Sequence, residues 1–132
     1  MIGLDTNVLV RVFVEDQPSQ TKAAKAFLAQ RGPDDPGYAS MIVIAELVWV
    51  LHKAYGFERP AVVQFIDWLL ESTNIVVEQH ELVQSALILA EANNTDICDA
   101  LIAGLATMAG ATGTVTFDRV AARRIPGMEL LK

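Results

Sequence analysis

Five carboxylates stand where chemistry is expected: Asp5, Glu46, Asp96, Asp99 and Asp118. Asp5 closes the apolar run Met1 to Leu4, and Asp118 closes the apolar stretch Gly113 to Phe117. Both runs read as buried strands, and ligand sites in open parallel sheets form at the carboxyl ends of strands. Asp96 and Asp99 are three apart at a helix start and share one face. Two carboxylates about 5 Å apart repel by roughly 3 kcal/mol at an effective dielectric near 20. Several together therefore call for a cation. Oxygen donors without histidine or thiolate select Mg2+ or Mn2+ over zinc.

Each acid also has a plainer role. Asp5 and Asp118 can cap the helical turns that follow them, and Asp96 with Asp99 resembles a capping box. Glu46 is harder to dismiss, because it interrupts the apolar run Met41 to Leu51. Its helical neighbours Ile42, Val43, Trp49 and Val50 cannot pair with it. A buried, unpartnered carboxylate is costly, so Glu46 is expected to be buried and to find a counter-charge, either a distant arginine or a bound cation.

The elements that position these acids follow from pattern. Helices are expected over about Asn7–Glu15, Pro18–Gln30 (with Ala23, Ala26 and Phe27 on one face), Ser40–Tyr55, Pro60–Ser72, Glu81–Ala92 and Asp96–Ala109, with a short turn from Asp118 to Arg124. Strands are expected at Met1–Leu4, Tyr38–Ala39, Asn74–Glu78, Gly113–Phe117 and Met128–Leu131, with a loop from Arg31 to Gly37. Strands alternating with helices point to an α/β sandwich on a mostly parallel sheet. At 132 residues, with no linker and no repeat, the chain reads as a single domain over 1–132.

Net charge is −6, which argues against holding nucleic acid by bulk electrostatics but not against a nuclease whose acids are gathered on a metal. The lone Cys98 excludes an internal disulfide and a thiolate zinc site. The longest apolar stretch is too short to span a bilayer, and no export signal precedes it, so no membrane contact and a cytoplasmic location are expected.

Four blocks carry a family resemblance: Leu4-Asp5-Thr6-Asn7-Val8-Leu9-Val10-Arg11, Ala45-Glu46-Leu47-Val48-Trp49-Val50-Leu51, Asp96-Ile97-Cys98-Asp99-Ala100-Leu101-Ile102-Ala103 and Thr116-Phe117-Asp118-Arg119. In this order and spacing they resemble the signature blocks of the PIN-domain ribonucleases and, within them, VapC-type toxins of toxin–antitoxin pairs. The resemblance implies a three-layer α/β/α sandwich around a central five-stranded parallel sheet, and a Mg2+- or Mn2+-dependent endoribonuclease using metal-activated water. It assigns Asp5, Glu46, Asp99 and Asp118 to the acidic metal-binding set, with Asp96 as an additional acid. Thr6, Asn7 and Thr116 match polar positions that orient those acids or a water. It also implies an RNA substrate, a homodimer, and a small VapB-like antitoxin that silences the enzyme.

Other residues are weighed separately. Arg11 and Arg119 are candidates for phosphate contact. His52 and His80 read as surface or capping residues, and Cys98 as packing. Trp49, Trp68, Phe27 and Phe65 are expected mostly in the core, with some flooring an apolar groove for a partner helix. Alternative functions are an RNA-processing nuclease without an antitoxin and, from a different class, a non-catalytic acidic-pocket module. A receiver domain would require a phosphorylatable Asp where Val77 leads into Glu78, and a lysine near Asp118. A dehalogenase-type phosphatase would require Asp where Asn7 stands.

Overall fold

A computed structural model describes the whole chain, Met1 to Lys132. The chain divides into two compact units, Met1–His80 and Glu81–Lys132. The first unit runs β1 (Ile2–Gly3), α1 (Thr6–Phe13), α2 (Pro18–Ala29), β2 (Gly37–Ala39), α3 (Met41–Trp49), α4 (Arg59–Glu71) and β3 (Ile75–Val77). Local signals set these boundaries. Pro18 opens α2, where its missing N–H has no helical partner to lose. Ser40 caps α3, its hydroxyl oxygen accepting from the Val43 N–H at 3.2 Å. That helix widens into a π-helical turn over Val50–Ala54 and stops at Gly56, whose φ of 72° suits a residue without Cβ.

β1, β2 and β3 form one parallel sheet in that order, with Ile2 opposite Gly37 and Gly37 opposite Ile75. Its packing comes from stripes on the helices: Leu9 and Val10 of α1, Val43, Ile44, Leu47 and Val48 of α3, and Val62, Val63, Ile66, Leu69 and Leu70 of α4 are all buried. On α2 the buried stripe is Thr21, Ala24 and Leu28, whereas Ala23 and Ala26 are exposed. The hydroxyl of Thr21 explains this rotation, because it donates to the Arg11 carbonyl at 2.7 Å and fixes that face of α2 against α1.

The aromatic residues are less buried than their helical spacing suggests. Trp49 is 61% exposed and Trp68 45% exposed, so neither belongs to the core. Phe27 is half-buried beneath the Arg31 guanidinium, 4.7 Å from its ring centre. Phe65 is also half-buried, stacked on Phe13 at 4.6 Å, with Trp68 edge-on to Phe13 at 5.6 Å.

The second unit contains α5 (His80–Asn93), α6 (Ile97–Met108), β4 (Thr114–Thr116), α7 (Arg119–Arg124) and β5 (Met128–Leu130). β4 and β5 pair in parallel, with Thr114 opposite Met128 and Thr116 opposite Leu130. Ala103, Ala121, Ile125 and Met128 form a core cluster with Leu89 packed on it. Gly104 admits Leu82 to close approach, because a Cβ there would collide with the leucine side chain. Asn93 Nδ2 donates to the Arg124 carbonyl at 2.8 Å, and Arg124 Nη1 donates to the Asn94 carbonyl at 2.7 Å. These reciprocal bonds fix the end of α5 to the end of α7.

All five expected strands are present and every ladder is parallel, in a mixed α/β fold with seven helices. The single five-stranded sheet is not. The strands form one ladder of three and one of two. β1 supplies the physical reason, since alternate strand residues direct their backbone bonds to opposite edges. Ile2 N–H and Leu4 N–H both donate toward β2, to the Pro36 and Tyr38 carbonyls at 2.9 and 2.8 Å. β1 keeps only two residues, Ile2 and Gly3, before Asp5 caps α1, so its pairing is short.

Candidate functional site

In the first unit Asp5 lies just beyond β1 and caps α1, its Oδ1 accepting from the Thr6 N–H at 2.9 Å. Thr6 is buried, and its hydroxyl donates to Glu46 Oε1 at 3.0 Å. One threonine therefore holds two carboxylates, one through its backbone and one through its side chain. Glu46 itself is exposed. The inward face of α3 is Val43, Ile44, Leu47 and Val48, which leaves Glu46 on the outward side with Ile42 and Trp49. The expectation of a buried Glu46 is thus corrected, and no arginine pairs with it: Glu46 is exposed, accepts from the Thr6 hydroxyl and is in none of the ion pairs. An apolar run long enough to look uniform still has a wet side when it forms a surface helix.

Glu78 was not among the residues singled out from the sequence, yet it takes part in the same strand edge. It follows β3, and its Oε1 accepts from the Met41 N–H at 2.7 Å, a second cap on α3 beside Ser40. Burial, with the Glu78 charge adding to it, pushes the Tyr38 phenol above its usual range. Its position at a strand end, the rule that singled out Asp5 and Asp118, was the available signal.

In the second unit Asp96 caps α6, its Oδ1 accepting from the Asp99 N–H at 3.0 Å. Asp118 caps α7, its Oδ1 accepting from the Val120 and Ala121 N–H groups at 2.9 and 3.0 Å. The Thr116 hydroxyl oxygen accepts from the Asp118 N–H at 3.0 Å, so Thr116 fixes the backbone of that acid rather than its carboxylate. Capping and ligation are compatible here, because each cap uses one oxygen of its carboxylate. Asp99 is half-buried, and desolvation, then the charges of Asp96 and Asp118, raise its carboxyl above the usual carboxylate range.

The other candidates resolve into structural roles. Arg11 Nε donates to Gln20 Oε1 at 2.7 Å, and its Nη1 donates to Asp16 Oδ1 at 3.0 Å and to the Tyr55 hydroxyl at 3.2 Å. Arg11 thereby ties α1 to α2 and to the residue that follows the π-helical turn. Arg119 is exposed beside Asp118, at the first position of α7. His52 Nδ1 lies 2.9 Å from the Phe57 carbonyl and His80 Nε2 lies 2.9 Å from the Leu70 carbonyl, which occupies both rings with backbone. Burial, followed by the charges of Asp96 and Asp99, pushes the Cys98 thiol up to about 11, so it stays protonated at neutral pH and is no nucleophile.

The structure thus gathers Asp5 and Glu46 about Thr6 in one unit, and Asp96, Asp99 and Asp118 in the other. No three His, Cys, Asp or Glu side chains are grouped closely enough to hold an ion as they stand. The donor chemistry nevertheless suits a hard dication: every donor is a carboxylate oxygen, and Asp99 is raised by burial and then by the charges of Asp96 and Asp118, which a cation would offset.

The PIN domain family matches residues 2–127. The chain belongs to that family. PIN domains are generally nucleases and typically use divalent metal ions, so the fold is of the nuclease type and the chain is placed among hydrolases acting on nucleic acid. The match spans both compact units and all five acids. No curated protein matches the chain closely enough to add a nearer relative. No helix of this PIN domain is long and apolar enough to cross a membrane.

Proposed function

We propose that this PIN domain is a Mg2+- or Mn2+-dependent endoribonuclease, the toxin of a VapBC-type pair, acting in the cytoplasm as a homodimer and silenced by a VapB-like antitoxin. The observation that carries the reading is the Thr6 bridge. A buried threonine that presents two exposed carboxylates, its neighbour Asp5 and Glu46 forty residues further along, is costly to arrange for helix capping alone.

In this reading Asp5 and Glu46 in the first unit, and Asp96, Asp99 and Asp118 in the second, are the carboxylates that bind divalent cations. When bound, a divalent ion supplies the positive charge that activates water and stabilises the oxygens of a phosphodiester undergoing in-line attack. The chain's own task is placement. Asp5, Asp96 and Asp118 are immobilised by the helix N-termini they cap, and Thr6 limits the rotation of Glu46. Thr116 steadies the turn carrying Asp118. Asp99, whose carboxyl is raised by burial and then by the charges of Asp96 and Asp118, must give up its proton to a bound cation, so cation uptake there strengthens as pH rises. Arg119 stands beside Asp118, where it can meet substrate phosphate.

The test is RNA cleavage by the purified protein in Mg2+, in Mn2+ and in excess EDTA, beside Asp5→Asn and Asp99→Asn. Metal-dependent cuts absent from both variants support the reading. Equal cutting in EDTA overturns it. Growth arrest on expression, relieved by a co-encoded partner, separates the toxin from an RNA-processing enzyme.

A further inference from the structure

A groove of about 460 Å³ lies in the first unit between α1 and α2, and its lining includes Leu4, Asn7, Arg11, Gln20, Ala23 and Phe27. Leu4 and Asn7, the sequence neighbours of Asp5 and Thr6, are among its lining residues. Its volume is in the range of small-molecule pockets, roughly 300–1,000 Å³. No carboxylate lines it, in a protein of net charge −6, and its one cation, Arg11, is ion-paired with Asp16. A polyanion kept off the rest of an acidic surface meets less repulsion here. The apolar walls carry a few amides. Asn7 is exposed, and Gln20 is held through its Oε1 by Arg11 Nε, which leaves the Gln20 amide N–H as a donor.

We propose that this groove is a nucleobase subsite, which takes one unstacked base of the RNA strand next to the scissile phosphate. It rests on the ribonuclease reading above and specifies how that site would select its substrate. An apolar slot with a small number of amide groups suits a base, which has two apolar faces and an edge of donors and acceptors. Single-stranded RNA is bound in this manner, by burying faces and reading edges. Asn7 and Gln20 supply the edge contacts, and Phe27, Leu4 and Ala23 the apolar walls.

The test uses two substrates, a single-stranded RNA oligonucleotide and bis(p-nitrophenyl) phosphate, a phosphodiester without a nucleobase. Ala23→Trp fills the groove from α2, where Ala23 is exposed and makes no part of the acidic set. The expected result is a loss of about tenfold or more in kcat/KM on RNA, with hydrolysis of the small diester in Mn2+ unchanged. A second measurement needs no variant. Oligonucleotides with an abasic ribose at successive positions should lose a similar factor with wild type at one position adjoining the cut. Equal cleavage of every abasic oligonucleotide overturns the subsite. So does a loss in Ala23→Trp that is equal on both substrates, or RNA cleavage by Ala23→Trp that is intact while its oligomeric state changes, which assigns the groove to a protein partner. If wild type hydrolyses neither substrate in Mn2+, the ribonuclease reading has failed, and the subsite falls with it.

Discussion

The Thr6 hydroxyl donates to Glu46 Oε1 at 3.0 Å, while the Thr6 backbone N–H donates to Asp5 Oδ1 at 2.9 Å. α1 and α3 are thus coupled through a side chain that is itself only 6% exposed. Thr6→Val keeps the shape and removes the bond. Because Glu46 is exposed and can rehydrate, the expected cost in stability is small, about 1 kcal/mol or less. Catalysis should suffer more, by about tenfold in kcat, because a freed Glu46 samples orientations away from the cation. Thr6→Ser should retain most of the activity. Thermal melts and RNA cleavage rates measured on the same preparations check both effects.

Asp99 provides the pH dependence. Its carboxyl is raised by burial and by Asp96 and Asp118, so in the folded state it holds its proton to higher pH than in the unfolded chain. Stability from this group is therefore lost as pH rises from the unfolded value through the raised folded value, and the penalty is complete above it. Asp96→Asn removes one of the charges while keeping a good N-cap on α6. It should lower the Asp99 titration midpoint, read by carboxyl NMR, and raise the melting temperature slightly at neutral pH in the absence of metal, but not at low pH. Asp96→Ala also loses the cap and should cost about 1 kcal/mol.

Arg11 and Arg119 stand in different environments, one bonded on three sides and the other exposed. Arg11→Met breaks bonds to Gln20, Asp16 and the Tyr55 hydroxyl and should destabilise the fold by about 1–2 kcal/mol. Arg119→Met removes an exposed side chain and should change stability by less than about 0.5 kcal/mol. As a phosphate contact, Arg119 should also account for about one unit of the salt slope of RNA binding. Chemical denaturation and binding at several salt concentrations distinguish the two.

Gly56 ends the π-helical turn with φ at 72°, and nothing lies within 4 Å of the Cβ that alanine would add. Gly56→Ala should therefore cost about 1–2 kcal/mol through backbone conformation alone, without a steric clash. Equilibrium unfolding of the variant measures it.

Local signals were readable where one residue sets one feature. Pro18, Ser40, Gly56, Asp96 and Asp118 each start or stop a helix where their chemistry predicts. Facing was harder to read. Ala23 and Ala26 turned out exposed because Thr21, a polar residue, anchors the inward side of α2 through a hydrogen bond. Glu46 looked buried because Ile42 and Trp49 beside it are apolar, yet both are exposed with it. Sheet continuity depended on how few residues β1 retains once Asp5 caps α1, which composition does not report. The capping roles of Asp5, Asp96 and Asp118 were legible in advance, whereas the Thr6–Glu46 bond and the capping role of Glu78 needed coordinates.

The proposed metal dependence rests on Asp5 in the first unit and Asp99 in the second as divalent-cation ligands. Calorimetric titration of Mn2+ into wild type, Asp5→Asn and Asp99→Asn tests it most directly, with melting curves confirming that each variant is folded. Binding by wild type, weakened about tenfold or more in each variant, is the predicted result. Identical uptake by all three proteins, or none by wild type, would contradict it.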